Sequence, residues 1–390
     1  MSILFKRNLY LISKCIICAL LFTLISGSPL RLLDINYQEC VTQQNVGYRL
    51  IQTSDDYPAD WLDESMILNL IRKGIKFMDI TDYTQLGSTI KAFKKHAYPP
   101  SPSFRDEVEP IIGNLTTTYM KKNLEKFTSF QTRYYRSQYG VQSSDWLFDQ
   151  ISNIIKNANP DSKTNITVVK FGHKWPQNSI IARFEGYNVD SSNEVVIVGA
   201  HQDSVNMWWP SFGRAPGADD DGSGTVTILE AFRSLVASDF SPALPVEFHW
   251  YSAEEGGLLG SQDIALKYES DKRNVIAMLQ NDMTGYIGRN PEAFGIVFDH
   301  VDLDLTNFVG KLIEAYAKIP MIKTKCGYAC SDHASWLKAG YPSAFAIEGE
   351  FDDTNPHIHS TGDLVEYLNF EHMLEFAKLS VSFAVELSHV

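Results

Sequence analysis

Four short segments that are rich in apolar residues constrain the fold of this chain more than any other feature of its sequence. They span residues 195–198, 246–252, 275–280 and 343–347. Continuous apolar runs of this length are typical of strands that are buried on both faces of a sheet. Because segments of helical character lie between them, we expect an α/β fold with a mixed, largely parallel central sheet and helices on both faces.

The segment between the first two strands has a clear helical spacing. Its apolar residues predict a strand–helix–strand unit whose helix begins just after Asp221-Gly-Ser223, where Asp or Ser can cap the first turn. The spaced residues are Val226, Leu229, Phe232 and Leu235. Two further helices are predicted over 123–135 and 144–157. A chain of 390 residues accommodates one large α/β domain of this kind plus an appendage.

Side chains suited to metal binding follow three of the predicted strands. His201 comes shortly after the first strand, Glu254 and Glu255 follow the second, and Asp282 follows the third. In open α/β sheets, ligands bind beyond the carboxyl ends of the strands. A single histidine would more often be a hydrogen-bonded core residue, and a single Glu-Glu pair would more often be solvated. Three independent elements that bring such groups to one edge instead indicate a metal site.

An acidic, glycine-rich loop lies directly before the helix that follows the first strand. It contains Asp219-Asp220-Asp221. A two-metal site needs a shared carboxylate, and this run offers one. The alternative is an acidic loop at the positive end of a helix dipole. An EF-hand is excluded because its aspartates alternate along the chain rather than follow one another.

Two histidines with several carboxylates suggest a site for two zinc ions and a water. Zinc favours imidazole nitrogen and carboxylate oxygen, and catalytic sites leave a position open for water or substrate. The second histidine comes from His357-Ile-His359. Asp203, two residues after His201, is placed to orient the ring of that ligand. Of the adjacent glutamates, one can bind a metal while the other faces the water.

The first 27 residues have the organisation of a secretory signal peptide. A basic stretch, an apolar run over 15–25 and small residues over 26–28 follow one another. The apolar run is too short to span a bilayer comfortably, so an uncleaved anchor is the weaker alternative. No other stretch approaches ~18 apolar residues. We therefore expect a secreted, extracellular protein that makes no membrane contact once the signal is removed.

Cysteine usage and two short motifs fit an oxidising compartment. Cys326 and Cys330 are candidates for a short-loop disulfide, and Cys40 is left over. The Cys-x3-Cys pair could instead bind metal, but no further cysteine lies nearby to complete a thiolate site. Asn114-Leu-Thr and Asn165-Ile-Thr are glycosylation acceptors if the chain is secreted.

Net charge and a composition change limit the remaining possibilities. A formal net charge of −13 argues against a nucleic-acid-binding protein, which usually has a basic face.

The segment up to about residue 98 differs from the rest of the chain, with an amphipathic helix predicted over 61–78. A Pro-rich loop at 98–102 then marks a plausible domain boundary.

In their order and wording, these motifs resemble the secreted di-zinc leucine aminopeptidases of fungal type, which are related to bacterial secreted aminopeptidases. The resemblance covers roughly residues 100–390, and Phe77-Met-Asp-Ile-Thr-Asp82 resembles part of the family's prosegment. It implies a prosegment over 28–98, which assists folding or restrains activity until removed, and a di-zinc peptidase domain over 99–390. The alternative is that 28–98 is a permanent subdomain.

The resemblance also implies a role for each candidate ligand. The family pattern Gly-Ala-x-Asp-x-x-Ser-Gly selects Asp220 as the bridging carboxylate, and Asn-Pro-x-Ile-His-x-Thr selects His359 over His357. Glu254 matches the general base. One zinc would be held by His201, Asp220 and Asp282, and the other by Asp220, Glu255 and His359.

Further positions match the substrate side of the family's site. The segment Cys326-Gly-Tyr328-Ala-Cys330 matches its disulfide loop, and Tyr328 resembles a tyrosine that helps to bind the oxyanion. His333 is a rival ligand by chemistry, but the resemblance makes it a supporting residue. An apolar pocket for Leu-like N-terminal residues is implied at Met283, Ile347, Phe351 and Ile358.

The implied activity is removal of the first residue from peptides with a free N-terminus, by a chain that we expect to be a monomer. Two zinc ions would acidify a shared water, and Glu254 would take its proton and pass it to the leaving amine. Alternatives on the same fold are a one-zinc enzyme like the glutaminyl cyclases, a carboxypeptidase relative, or a metal-free receptor-like binding module. The presence of His201 and Asp282 beside Asp220 argues against one zinc. A complete ligand set with its base argues against a metal-free module.

Overall fold

The computed structural model describes residues 47–88 and 96–389 of the chain. The strands of these residues are β1 (Tyr48–Gln52), β2 (Asp60–Asp63), β3 (Met78–Asp79), β4 (Ile166–Phe171), β5 (Ser179–Phe184), β6 (Glu194–His201), β7 (Val246–Tyr251), β8 (Asn274–Asn281), β9 (Phe294–Val297), β10 (Met321–Thr324) and β11 (Ser343–Ile347). The helices are α1 (Glu64–Arg72), α2 (Arg105–Ile112), α3 (Thr117–Phe127), α4 (Gln138–Lys156), α5 (Gly224–Ala237), α6 (Leu259–Ser270), α7 (Leu303–Tyr316), α8 (His333–Lys338) and α9 (Phe370–Ser388).

Strands β4 to β11 form one sheet in the order β10-β9-β11-β8-β6-β7-β5-β4. Its centre, β11-β8-β6-β7, is parallel throughout, and β10 is parallel to β9. The pairs β11–β9, β7–β5 and β5–β4 are antiparallel. All four apolar segments lie in the parallel centre, so the predicted mixed, largely parallel sheet is confirmed.

Helices cover this sheet on both faces because successive side chains of its central strands point in opposite directions. In β6, Val196 and Val198 join a core with residues of α5, α7 and α9. Val195 and Ile197 join a second core with residues of α6 and α8. All four valine and isoleucine side chains are fully buried. The two-sided burial explains why the strand is an uninterrupted apolar run in the sequence.

The local predictions locate the helices but miss several of their boundaries. Helix α5 begins at Gly224, directly after Asp221-Gly-Ser223, as predicted. The helix predicted over 123–135 is wrong, because α3 ends at Phe127. The Thr128 hydroxyl donates to the carbonyl of Leu124 at 2.9 Å and so satisfies one of the last helical carbonyls.

The N-terminal residues 49–88 fold onto the rest as part of one compact unit. Strands β1, β2 and β3 form a separate small sheet in the order β2-β1-β3. The helix predicted over 61–78 is shorter than expected: α1 begins after Asp63, whose carboxylate accepts from the backbone N–H of Met66. Ile51, Ile67 and Phe77 are buried together in a small core of their own.

Several predictions concern residues at the surface or residues that the structure does not describe. The predicted signal peptide, Cys40 and the start of segment 28–98 are not among the residues described. Cys326 and Cys330 form a disulfide bond with a Cα–Cα distance of 5.9 Å, which confirms that pairing. Asn114 and Asn165 are exposed. Within 47–88 and 96–389, no helix combines the length and apolarity that crossing a membrane requires.

The buried carboxylate of Glu247 links β5 to β7, the strand that precedes Glu254. Glu247 accepts hydrogen bonds from Arg183 Nη1 at 2.7 Å and from the Tyr268 hydroxyl at 2.6 Å, and lies 2.8 Å from His249 Nε2. Burial alone would raise the pKa of Glu247, but His249, Arg183 and Tyr268 outweigh it and lower the pKa to about 2. The charged form is therefore strongly favoured in the folded protein.

We expect Glu247→Gln to lower the free energy of unfolding by about 2–3 kcal/mol at pH 7, because it leaves buried donors without a charged acceptor. The folded pKa is depressed, so this contribution is present above the ordinary value of 4.5 and is lost as the pH falls towards about 2. Urea titrations of wild type and variant at pH 7, 5 and 3 should show the difference shrinking.

Glu185→Gln is the matched control for this prediction. Glu185 also pairs with Arg183, at 2.9 Å, but its side chain is 40% exposed. Its loss should cost less than about 1 kcal/mol. Equal losses in the two variants, or a Glu247→Gln difference that does not change with pH, would contradict the prediction.

Candidate metal centre

The five predicted ligands lie at the carboxyl edge of the sheet. His201 is the last residue of β6, Asp282 directly follows β8, and Glu255 lies four residues beyond the end of β7. Since β7, β6 and β8 are parallel neighbours, their ends meet at one place. Asp220 comes from the loop before α5 and His359 from the segment after β11.

Asp220 lies between two groups of ligand-type side chains. His201 Nε2 is 3.0 Å from Asp220 Oδ1 and 3.5 Å from Asp282 Oδ1. On the other side, His359 Nε2 is 2.9 Å from Asp220 Oδ2 and 3.1 Å from Glu255 Oε2. The two oxygens of one carboxylate thus face two different histidines, which is the arrangement that a bridging ligand requires.

The residues of both groups fit metal ions. Each group offers one donor atom per residue within 4.8 Å of the others. Both ring nitrogens of His201 and Oε1 of Glu255 are buried without a partner in hydrogen-bonding geometry. Buried polar atoms without partners are costly, and imidazole and carboxylate donors suit zinc. The donor set therefore suits zinc, and Asp220 is common to both groups.

The carboxylates at this edge attract positive charge strongly. Burial would raise the pKa of Asp220, but its contacts with His201 and His359 outweigh burial and hold the pKa well below its usual value. Burial would also lower the pKa of His359, yet Glu255 and Asp220 raise it to about 10. Cations at either end of Asp220 would meet the same attraction.

Glu254 belongs to neither group, although it is the neighbour of Glu255. Its Oε2 lies 4.0 Å from His201 Nε2, and its side chain is 13% exposed. It lines the same cavity as Asp220 and Asp282. Glu254 therefore faces the space beside both groups, but neither group includes it as a metal ligand.

Asp203 supports the glutamates through the backbone. Its Oδ1 accepts from the N–H of Glu254 at 3.0 Å and its Oδ2 from the N–H of Glu255 at 3.3 Å. The same Oδ1 lies 3.5 Å from His201 Nδ1, consistent with the orienting role predicted from the sequence. One buried carboxylate thus connects three residues of the site.

The neighbours of Asp220 have other contacts. Asp221 Oδ2 accepts from the N–H of His201, and its Oδ1 accepts from those of Gly224 and Met283, at 2.8–3.1 Å. It therefore holds the ends of β6, α5 and β8 together. The Asp219 carboxylate instead accepts from Asn355 Nδ2 and from the N–H of Gly285. The Asp220–Asp221 peptide bond is cis.

Two supporting residues were not predicted from the sequence. Asp363 accepts from the N–H of Asp219 at 2.9 Å and from that of Asp220 at 3.1 Å. Arg133 is fully buried and donates to the carbonyls of Gln202, Pro216 and Gly217. Neither residue stands in a motif, so only the folded arrangement reveals that they hold the loops carrying His201 and Asp220.

The apolar residues predicted to receive the substrate side chain lie beside the carboxylates. Met283, Ile347, Phe351 and Ile358 line a cavity of about 40 Å³ together with Asp220, Glu254, Asp282 and His359. One wall of this cavity is therefore apolar and the other is acidic. The arrangement suits a ligand with a positively charged end and an apolar side chain.

Tyr328 lies outside the residues that line this cavity. Its hydroxyl donates to the sulfur of Met78 at 3.4 Å, so it contacts the N-terminal segment. The rival ligand His333 is buried near Cys326 and Cys330, but both sulfurs are in the disulfide and no thiolate is available. Its ring stacks on Phe345 at 4.9 Å between centroids.

Among the described residues of the N-terminal segment, Lys76 alone lines this cavity. Burial alone would lower its pKa, but the charges of Glu254, Asp220, Asp282 and Glu255 outweigh burial and raise it. No sequence signal distinguishes Lys76 from nearby exposed basic residues. Its position follows from how the small N-terminal sheet docks.

Comparisons with known proteins agree with this site. Residues 179–384 match the model of peptidase family M28. The chain is 51% identical to "Leucine aminopeptidase 1" of Neurospora crassa over 343 residues, covering 85% of this chain and 84% of that protein. It is 48% identical to the protein of the same name from Trichoderma harzianum, covering 97% and 96%.

Among solved structures, the LapA aminopeptidase of Legionella pneumophila superposes with a TM-score of 0.76 at 31% identity, over 88% of this chain and 94% of that one. LapB of the same organism gives a TM-score of 0.74 at 29% identity, over 90% and 97%. The family match extends over more than half of the chain and includes all five ligand-type residues. From the match, the relatives and the geometry together, the chain belongs to peptidase family M28.

Proposed function

We propose that the chain is a secreted leucine aminopeptidase that binds two zinc ions and removes Leu-like residues from the N-terminus of peptides. Relatives named for leucine aminopeptidase activity are about half identical to it over most of its length. The observation that carries the zinc proposal is Asp220, whose two oxygens face His201 and His359 at 3.0 and 2.9 Å.

The same observation favours two zinc ions over one. A single ion held by His201, Asp220 and Asp282 would leave Glu255 and His359 without a ligand role. Yet Glu255 Oε2 and His359 Nε2 approach to 3.1 Å beside the second oxygen of Asp220. Both groups place charged side chains in a buried space, which is costly unless a cation compensates them. A metal-free binding module would have no need of either group.

When bound, the zinc ions would polarise the scissile carbonyl and lower the pKa of a shared water. We assign Glu254 as the general base, since it lines the cavity and belongs to neither ligand group. It would accept the proton of the attacking water and deliver it to the leaving amine. Asp203 would keep both glutamates in place through their backbone N–H groups.

Substrate selection would follow from the two walls of the cavity. The apolar wall formed by Met283, Ile347, Phe351 and Ile358 would receive a Leu-like side chain. The acidic wall would attract the free α-ammonium group of the peptide, which restricts cleavage to the first residue. Tyr328 would donate a hydrogen bond to the developing oxyanion once its contact with Met78 is released.

The remaining parts of the proposal concern how the chain is processed and where it acts. We assign residues 1–27 to a signal peptide, 28–98 to a prosegment and 99–390 to the mature peptidase, which acts outside the cell as a monomer. Asn114 and Asn165 are exposed and available for glycosylation. Mass spectrometry of the secreted protein tests the division, since a mature N-terminus near residue 28 contradicts removal of the prosegment.

The activity itself has a direct test. Secreted protein of defined N-terminus should contain about two zinc ions per chain. It should release the chromophore from leucyl-p-nitroanilide but not from its N-acetylated form, because the latter lacks an α-ammonium group. Elemental analysis and an aminoacyl-anilide panel measure both. Protein that holds zinc but is inert on every free-amine substrate would contradict the assignment.

Glu254→Gln should lower kcat by about 10²–10⁴-fold while zinc content stays unchanged, because the substitution removes a proton acceptor and not a ligand. Glu255→Gln is the matched variant and should lose zinc. Steady-state kinetics and elemental analysis on the pair separate the two roles. Zinc loss in Glu254→Gln with retention in Glu255→Gln would mean that the roles are reversed.

Asp203→Asn should weaken zinc binding by about 10–100-fold. The amide NH₂ cannot accept from a backbone N–H, so one of the two glutamates loses its support. Competition with a chromophoric chelator measures the affinity. Asp145→Asn is the control, since Asp145 is about half exposed and pairs with Lys170. Equal affinities in the two variants would contradict the positioning role.

A further inference from the structure

The N-terminal segment is fixed to the peptidase domain next to the glutamates of the site. The N–H of Asp79 donates to the carbonyl of Gly257 at 3.0 Å, and Gln262 Nε2 donates to the carbonyl of Asp79 at 3.0 Å. Arg49 Nη1 reaches the carbonyl of Gly256 at 3.2 Å. Strand β3 is therefore held two to three residues beyond Glu254 and Glu255.

This docking places Lys76 inside the site. Lys76 lines the 40 Å³ cavity with Asp220, Glu254 and Asp282. It also lines an adjoining cavity of about 50 Å³ with Glu254 and Glu255. Lys76 therefore lies beside carboxylates of both ligand groups.

The space that remains is too small for a substrate. Pockets that bind small molecules measure about 300–1,000 Å³, whereas one water needs ~10–15 Å³ of cavity volume. The 40 Å³ and 50 Å³ cavities beside Lys76 hold only a few water molecules. In addition, Met78 engages the Tyr328 hydroxyl. Three neighbouring residues of the segment, 76–78, thus close the site and occupy one of its hydrogen-bond donors.

We propose that Lys76 is an internal competitor of this site: its ammonium takes the place of a cation among Asp220, Glu254, Glu255 and Asp282, opposing both zinc and the α-ammonium of a substrate. The segment carrying Lys76 then keeps the intact chain latent through charge as well as bulk. The inference rests on the proposed function for its biological meaning, but its electrostatic part concerns this chain alone.

The charges around Lys76 support competition with a bound cation, and not only steric blocking of the site. The negative charges of Asp220, Glu254, Glu255 and Asp282 all favour the charged form of Lys76. Charges interact more strongly at a buried site, where the effective dielectric constant is lower than in water. An ammonium beside a zinc position would thus lower the affinity for the doubly charged ion, while it stabilises the chain when no ion is bound. Removing the charge should therefore have opposite effects on the two states.

The test uses the intact chain, with its N-terminus verified by mass spectrometry. In Lys76→Met, zinc affinity measured by chelator competition should rise at least about tenfold. The chelator-treated variant should melt at a lower temperature than chelator-treated wild type. Lys73→Met is the control, since Lys73 is exposed and lines neither cavity. Lys76→Arg keeps the charge and should behave like wild type.

Unchanged zinc affinity in Lys76→Met, or the same increase in Lys76→Arg, would overturn the proposal. If Lys76→Met does not fold without metal, a second measurement on zinc-loaded protein decides. Intact Lys76→Ala should then cleave leucyl-p-nitroanilide at least about tenfold faster than intact wild type. After proteolytic removal of the segment, the two should be equal. Equal rates in the intact chains would overturn the proposal.

These outcomes separate the inference from the proposed function. Mature protein that cleaves leucyl substrates while Lys76 variants change neither zinc affinity nor latency would refute only the inference. Mature protein that is inert, with zinc affinity raised in Lys76→Met and not in Lys76→Arg, would refute only the aminopeptidase assignment.

Discussion

The concentration of negative charge at the carboxyl edge of the sheet is the constraint on which the rest of this structure depends. Asp220 has ligand atoms within 4.8 Å of both Asp282 and Glu255, and Glu254 faces the same space. Buried carboxylates are tolerated only when hydrogen-bond donors or cations compensate them. Much of the surrounding architecture supplies such compensation.

Backbone N–H groups provide part of this charge compensation and also fix the positions of the loops that carry the ligands. Asp203, Asp221 and Asp363 each accept from two or three backbone N–H groups of the loops that carry the ligands. Arg133 works in the opposite direction, since it donates to carbonyls of the same loops. The main chain that carries the ligand residues is therefore fixed by these buried side chains.

The parts of this arrangement that follow from chain direction were accessible from the sequence. His201 and Asp282 come directly at the ends of buried parallel strands, where an apolar run stops at a polar residue. Their convergence is therefore a consequence of sheet topology. The choice of Asp220 over its neighbours, however, came from the resemblance to a family. The structure provides the physical difference, because the Asp221 carboxylate is already used by three N–H groups.

Other parts depend on tertiary docking and leave no local pattern. Arg133 lies where a helix was predicted, and the chain departs from that helix at Thr128 to bring the guanidinium against the loop carbonyls. Asp363 is one acidic residue among many until the loop of Asp220 folds against it. Lys76 looks like a solvated lysine at the end of an amphipathic helix. Long-range packing placed each of these side chains, and hydrophobic periodicity carries no information about it.

The small separate core of the N-terminal segment has a kinetic consequence. Ile51, Ile67 and Phe77 pack with one another, while Met78 and Ile80 pack with Leu258 and Ala334 of the peptidase domain. If a protease cuts the chain in the loop at 98–102, these contacts would still hold the two pieces together. The site would then open at the dissociation rate of a complex, and dilution outside the cell would govern when activity appears.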